Sequence, residues 1–88
     1  MEPVTVTPRQ RATWRAVVDF EAEHQYGPTL RELGDRQELV HSWTGCVVQR
    51  LRKAGLLRPS PGYKCSRVSS VPGMAVDSAG RVYVDAHH

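Results

Sequence analysis

The side chains of this chain that could do chemistry are mainly its charges. From Leu39 to Val76 there is no aspartate or glutamate, while Arg50, Arg52, Lys53, Arg58, Lys64 and Arg67 all fall inside. From Asp19 to Glu38 the balance reverses, with six acids (Asp19, Glu21, Glu23, Glu32, Asp35, Glu38) against Arg31 and Arg36. Six cations with no anion among them read either as a solvated basic face or as the footprint of a polyanion partner. Ten of the twelve basic residues are arginine, whose planar fork suits bidentate contact with phosphate and guanine. A GC-rich genome gives the same bias. Catalytic spacings are missing: the four histidines, two cysteines and nine acids form no HExxH, GxSxG or phosphate loop. Cys46 and Cys65 lack paired metal-ligand spacing and are expected to be small buried hydrophobes. The expectation is a binding protein without catalytic residues, metal or cofactor.

The charges need elements to carry them. Thr7-Pro8-Arg9-Gln10 opens a helix, with Thr7 as cap, Pro8 in the first turn and Gln10 reaching back. Trp14, Val17, Val18 and Ala22 recur three or four apart behind it, with Phe20 widening the stripe. Tyr26-Gly27-Pro28 stops this helix. Thr29-Leu30-Arg31-Glu32 is a second capping box for a short helix burying Leu30 and Leu33. The pattern breaks around Gln37-Glu38-Leu39. His41 or Ser42 is then expected to cap a third helix with Val47, Val48, Leu51 and Ala54 inward and Gly55 ending it. Beyond Gly55 the period becomes alternating: a strand at Leu56-Leu57-Arg58, a turn at Pro59-Ser60-Pro61-Gly62 and a return strand from Tyr63 to Val68. A second hairpin follows, with Met74-Ala75-Val76, the turn Asp77-Ser78-Ala79-Gly80 and Arg81-Val82-Tyr83-Val84. A four-residue turn ending in glycine fits a type I turn followed by a left-handed residue.

Helix, helix, turn, helix and a basic hairpin is the order of a winged helix-turn-helix, an α+β fold of three helices with a β-hairpin wing. Here it carries a second, C-terminal hairpin. In that arrangement the third helix enters the major groove. Thr7-Pro8-Arg9-Gln10, then Tyr26-Gly27-Pro28-Thr29-Leu30-Arg31-Glu32-Leu33, then Leu51-Arg52-Lys53-Ala54-Gly55-Leu56-Leu57 together resemble the DNA-binding domain of the LexA repressors over residues 5–68. The resemblance implies that scaffold and a DNA-binding role within one domain, 1–88, with 69–88 as a hairpin extension and tail. Departures exclude any transfer of operator sequence. Gln37-Glu38 stands where the family usually has Leu-Gly, and the stretch from there to Leu51 looks one residue short. Thr13 and Glu21 replace apolar residues of the first helix, and Ser42-Trp43-Thr44-Gly45-Cys46 replaces a small polar run. Carried over by position, His41, Ser42, Trp43, Gly45, Cys46 and Gln49 face DNA. The helical wheel independently turns 42, 45, 46 and 49 outward once Val48 and Leu51 point in. Gln49 suits adenine, and Ser42 suits several base edges. Trp43 is also expected to pack in the core or on the hairpin, because indole is rarely left in water. Gly45 lowers helix propensity by about 1 kcal/mol relative to alanine, which suggests a close backbone approach or a loose helix start. Arg9, Arg50, Arg52, Lys53, Arg58, Lys64 and Arg67 are phosphate candidates, about half of them expected to make contacts. Tyr63 either joins them or packs across the hairpin. No counterpart of the family's self-cleaving peptidase domain is expected, and Ala79-Gly80, which echoes the family's cleavage bond, reads as a turn.

Composition agrees with a globular domain. Eighty-eight residues at 40% hydrophobic and 24% charged are too apolar for a disordered tail. A chain this short buries roughly 60–65% of its unfolded surface, leaving no room for a two-lobed cleft. No apolar run approaches a membrane span, and no basic-then-apolar leader opens the sequence, so a cytoplasmic location is expected. The function expected is a sequence-specific duplex-DNA-binding transcription regulator, of the small kind carried by phages or plasmids. Two alternatives stand beside it: a winged-helix module docking on RNA polymerase or another regulator, and an excisionase-like architectural protein. Val76, Val82 and Val84 share one face of the second hairpin with Met74, and that face needs cover. Either a second copy supplies it, giving a homodimer, or the chain's own helices do.

Overall fold

The computed structural model of the chain describes residues 5–60 and 67–84, with only the backbone of His41. Three helices are present among the described residues: α1 (Pro8–His24), α2 (Leu30–Gln37) and α3 (His41–Lys53). The first two start as their sequences dictate. Thr7 accepts from the Gln10 amide while the Gln10 side chain accepts from Thr7, and Thr29 and Glu32 make the same reciprocal pair. Four amide donors that a helix start leaves without partners are thereby satisfied. α3 differs from the expectation. Its N-cap is Val40, and no side chain caps it; Thr44 turns its hydroxyl back onto the Val40 carbonyl at 3.1 Å.

Two antiparallel hairpins complete an α+β architecture. β1 (Leu57–Pro59) pairs with β2 (Val68–Ser70), with Leu57 opposite Ser70 and Pro59 opposite Val68. β3 (Met74–Val76) pairs with β4 (Val82–Val84), with Val76 opposite Val82. The first hairpin is displaced from its expected bounds. Pro59 lies in the strand rather than the turn, as a proline can where the ladder asks it for no donor. The return strand continues through Ser69 and Ser70, so β2 crosses the expected boundary between 68 and 69. Residues 61–66, which hold the expected turn and most of the return strand, lie outside the described residues. The second hairpin folds as expected: Gly80 takes φ +84°, and the Asp77 carboxylate accepts from the amides of Ala79 and Arg81. A Cβ at Gly80 would stand 2.4 Å from the Val6 carbonyl oxygen, so only glycine fits this turn.

One core joins all of these elements. Trp14 and Val17 of α1, Leu33 of α2, and Val47, Val48 and Leu51 of α3 meet Leu56, Leu57, Val68 and Val76. Each fully buried leucine or valine contributes about 1.5–3 kcal/mol. Ala22, expected on the inner stripe of α1, is exposed, and Thr13 is buried in its place. The second hairpin belongs to this core. Val76 is buried in it with Met74 and Val82 partly buried against it, while Val84 is 72% exposed. The first hairpin is tied to the α1–α2 connection: the Val68 amide donates to the Pro28 carbonyl at 2.9 Å, and Thr29 bridges Arg67. A Cβ at Gly27 would overlap the Val68 carbonyl oxygen at 1.7 Å, so this approach requires glycine. No helix among the described residues is long and apolar enough to cross a membrane.

Candidate nucleic-acid interface

With Thr44, Val47, Val48 and Leu51 buried, the 100° step of the helix turns positions 42, 46, 49 and 53 away from the core. Ser42, Cys46, Gln49 and Lys53 are all exposed there. Cys46 is thus a surface thiol, against the expectation of a buried one, because its place on the wheel opposes the core. Cys65 lies outside the described residues. Gly45 is half-buried beside this row, and a Cβ built on it would meet nothing within 4 Å. Nothing among the described residues requires a glycine there.

Cations line both flanks of α3. On one side Arg52 and Gln49 share a cleft of about 170 Å³ with Leu30, Gly45, Pro59 and Val68, and Arg58 stands exposed on the adjoining β1. On the other side Arg50 borders a groove of about 570 Å³ that runs from α3 to the start of α1, where Arg9 forms the opposite rim. Arg9, Arg50, Arg52, Lys53 and Arg58 are all exposed, and none forms an ion pair with an acid among the described residues. Several acids are engaged elsewhere. Glu23 pairs with Arg36, whose hydrogen bond holds the Glu23 carboxyl below its ordinary range. Glu32 is held low first by the Thr29 amide that it caps and further by Arg67. Glu21 accepts the Ser70 amide at 3.0 Å, and Asp77 organises the second turn.

Arg67 is placed otherwise than the sequence suggested. Its guanidinium donates to the Gly27 carbonyl and to Glu32, both at 2.9 Å, and lies 4.5 Å from the Tyr26 ring centre. The side chain is only 21% exposed and ties the first hairpin to the start of α2. Nothing local in the sequence announces these partners, because Gly27 and Glu32 lie 40 and 35 residues away. Trp43 corrects a second expectation. It is 64% exposed rather than packed in the core or on the hairpin, since its position falls on the flank where α3 looks past the start of α1. Val40, just ahead of it, is 63% exposed, and sequence reasoning missed this residue. Lys64 and Tyr63 lie outside the described residues, and of His41 only the backbone is placed.

Thr13 and Gln37 turn out to be partners. The Thr13 hydroxyl hydrogen-bonds the Gln37 amide group and faces the Arg9 carbonyl, which satisfies a polar group at a fully buried position. Glu38 adopts φ 56°, ψ 38°, the left-handed conformation that glycine takes without cost. Among the described residues no three histidine, cysteine or acidic side chains come close enough to hold a metal. Comparison of the chain with protein families and with curated proteins finds no match to either.

Proposed function

We propose that this chain is a winged helix-turn-helix protein that binds duplex DNA and regulates transcription. α3 is the recognition helix, and the β1–β2 hairpin is a wing on the flanking phosphates. The observation that carries this reading is the exposed row of α3 bracketed by five cations that pair with no acid among the described residues: Arg9 and Arg50 on one side, Arg52 and Arg58 on the other, and Lys53 at its end. A major groove about 12 Å wide admits a helix whose outward row carries short polar groups, and each strand then offers its phosphates to one flank. Ser42 and Gln49 are the base-reading side chains, Gln49 suited to adenine. Gly45 lets the backbone approach the groove wall, which accounts for a glycine that none of the described residues needs. α3 also lacks a side-chain cap, so its first amides are available to a phosphate oxygen. Part of the basic charge has a plainer role, since Arg50, Arg52 and Lys53 complement the dipole of the last turn.

Five neutralised phosphates set the salt dependence: log K falls with log salt at a slope of about −4 to −5. Selection of duplexes from a random pool, followed by titration at several salt concentrations, tests the reading. A sharp motif with that slope supports a sequence-specific regulator. Salt-sensitive binding without a motif replaces it with the architectural role, and an affinity indifferent to salt, or no binding, overturns it.

A further inference from the structure

The flank of α3 that faces the start of α1 has a chemistry that phosphate contact does not explain. Leu39, Trp43, Cys46 and Val47 are the apolar lining of the 570 Å³ groove, and Val40, next to Leu39 in the chain, is exposed too. Arg9, Arg50, Thr7 and Gln10 line it as well, and among the described residues no acid does. Trp43 and Val40 are each more than 60% exposed, in a domain that buries its other tryptophan to 7%. Contiguous apolar surface of this kind marks a binding site, and tryptophan and arginine are the residues that most often anchor one.

Three occupants compete on physical grounds. Duplex DNA would meet Arg9 and Arg50 well but leave an apolar floor against a polar, hydrated partner. A second copy docking through the same patch about a two-fold axis would bring Arg9 and Arg50 of both copies together without an anion between them. An amphipathic helix with acidic flanks satisfies both features: its apolar side chains fill the groove, and its carboxylates take the guanidinium forks. We propose that this groove docks an acidic amphipathic helix of a partner protein. Trp43 and Val47 lie on a different flank of α3 from Gln49 and Arg52. Arg9, Arg50 and Cys46 are shared with the proposed DNA face, so the peptide and duplex DNA compete for the two arginines.

Random peptides of about 14 residues, four helical turns, displayed on phage and selected on the full chain provide the test. The expected winners carry apolar residues three and four apart with aspartate or glutamate beside them. A synthetic winner should bind at least about tenfold more weakly to the Trp43→Ala variant and to the Arg9→Glu/Arg50→Glu variant, as loss of anchor residues does. It should also shield Trp43, but not the buried Trp14, from iodide quenching. Circular dichroism of both variants separates lost binding from lost folding, and the exposure of all three positions favours intact folds. The proposal fails if no sequence is enriched, if the winners carry no acids, or if Trp43→Ala leaves their binding unchanged. It fails equally if sedimentation shows a dimer that Trp43→Ala dissociates, which hands the groove to a second copy. Duplex DNA that shields Trp43 as fully as the peptide assigns the groove to nucleic acid and also overturns it.

Discussion

Arg67 separates a structural cation from a functional one, and its replacement by methionine gives opposite results for the two roles. In the structure the guanidinium makes a charged hydrogen bond to the carbonyl of buried Gly27, pairs with Glu32 and lies over Tyr26. A hydrogen bond involving a charged group contributes about 1.5–3 kcal/mol. A pair in which Glu32 is 40% exposed adds at most about 1 kcal/mol. The ring contact adds about 0.5–1 kcal/mol. One guanidinium makes all three contacts, so they do not add independently, and fixing a long side chain costs up to about 2 kcal/mol of entropy. The expected loss for Arg67→Met is therefore about 2–3 kcal/mol. In a domain of this size that lowers Tm by roughly 8–24 °C. Urea unfolding at neutral pH measures the loss, and duplex binding is then titrated with salt at a temperature where the variant is folded. The slope should stay at the wild-type value, whereas Arg52→Ala and Arg58→Ala should each reduce it by about 0.9. A variant within about 0.5 kcal/mol of wild type whose slope falls by about one unit would refute the structural assignment.

Three further outcomes are expected. Gly45→Ala should raise stability by about 1 kcal/mol, since it removes an interior helical glycine into open space, yet weaken duplex binding by placing a methyl at the groove wall. Urea midpoints and fluorescence anisotropy check the pair, and a stabilised variant with unchanged affinity would remove Gly45 from the interface. Glu38→Gly should stabilise by about 0.5–1 kcal/mol, because an L side chain at φ 56° is strained where glycine is not; a lower urea midpoint would contradict this. Glu32 has a folded pKa below its unfolded one, so its charge-dependent contribution is full above the unfolded value and is lost as pH falls through the folded one. Wild type should exceed Glu32→Gln in stability near neutral pH and converge with it in acid, and a gap that does not change with pH would count against the assignment.

What the chain declared in advance was local. Both capping boxes, the inward positions of the helices and the turn at Asp77 to Gly80 depend on residues at most four apart. The backbone settles such contacts wherever the rest of the chain goes, so residue types alone determined three helices, two hairpins and a basic acid-free half. The outward row of α3 was legible for the same reason, since naming Val48 and Leu51 as inward fixes 42, 46 and 49 as outward. Tertiary structure decided what each of those groups meets. Thr13 finds Gln37 across 24 residues, and Glu21 finds the Ser70 amide across 49. Arg67 is drawn out of the basic set because the hairpin returns beside Gly27, where a missing Cβ lets the strand close in. Trp43 looked like a core residue because indole is apolar, but apolarity does not say which flank of a helix has a neighbour. Only the packing of α3 past the start of α1 leaves that flank open, and this placed an exposed tryptophan between Arg9 and Arg50.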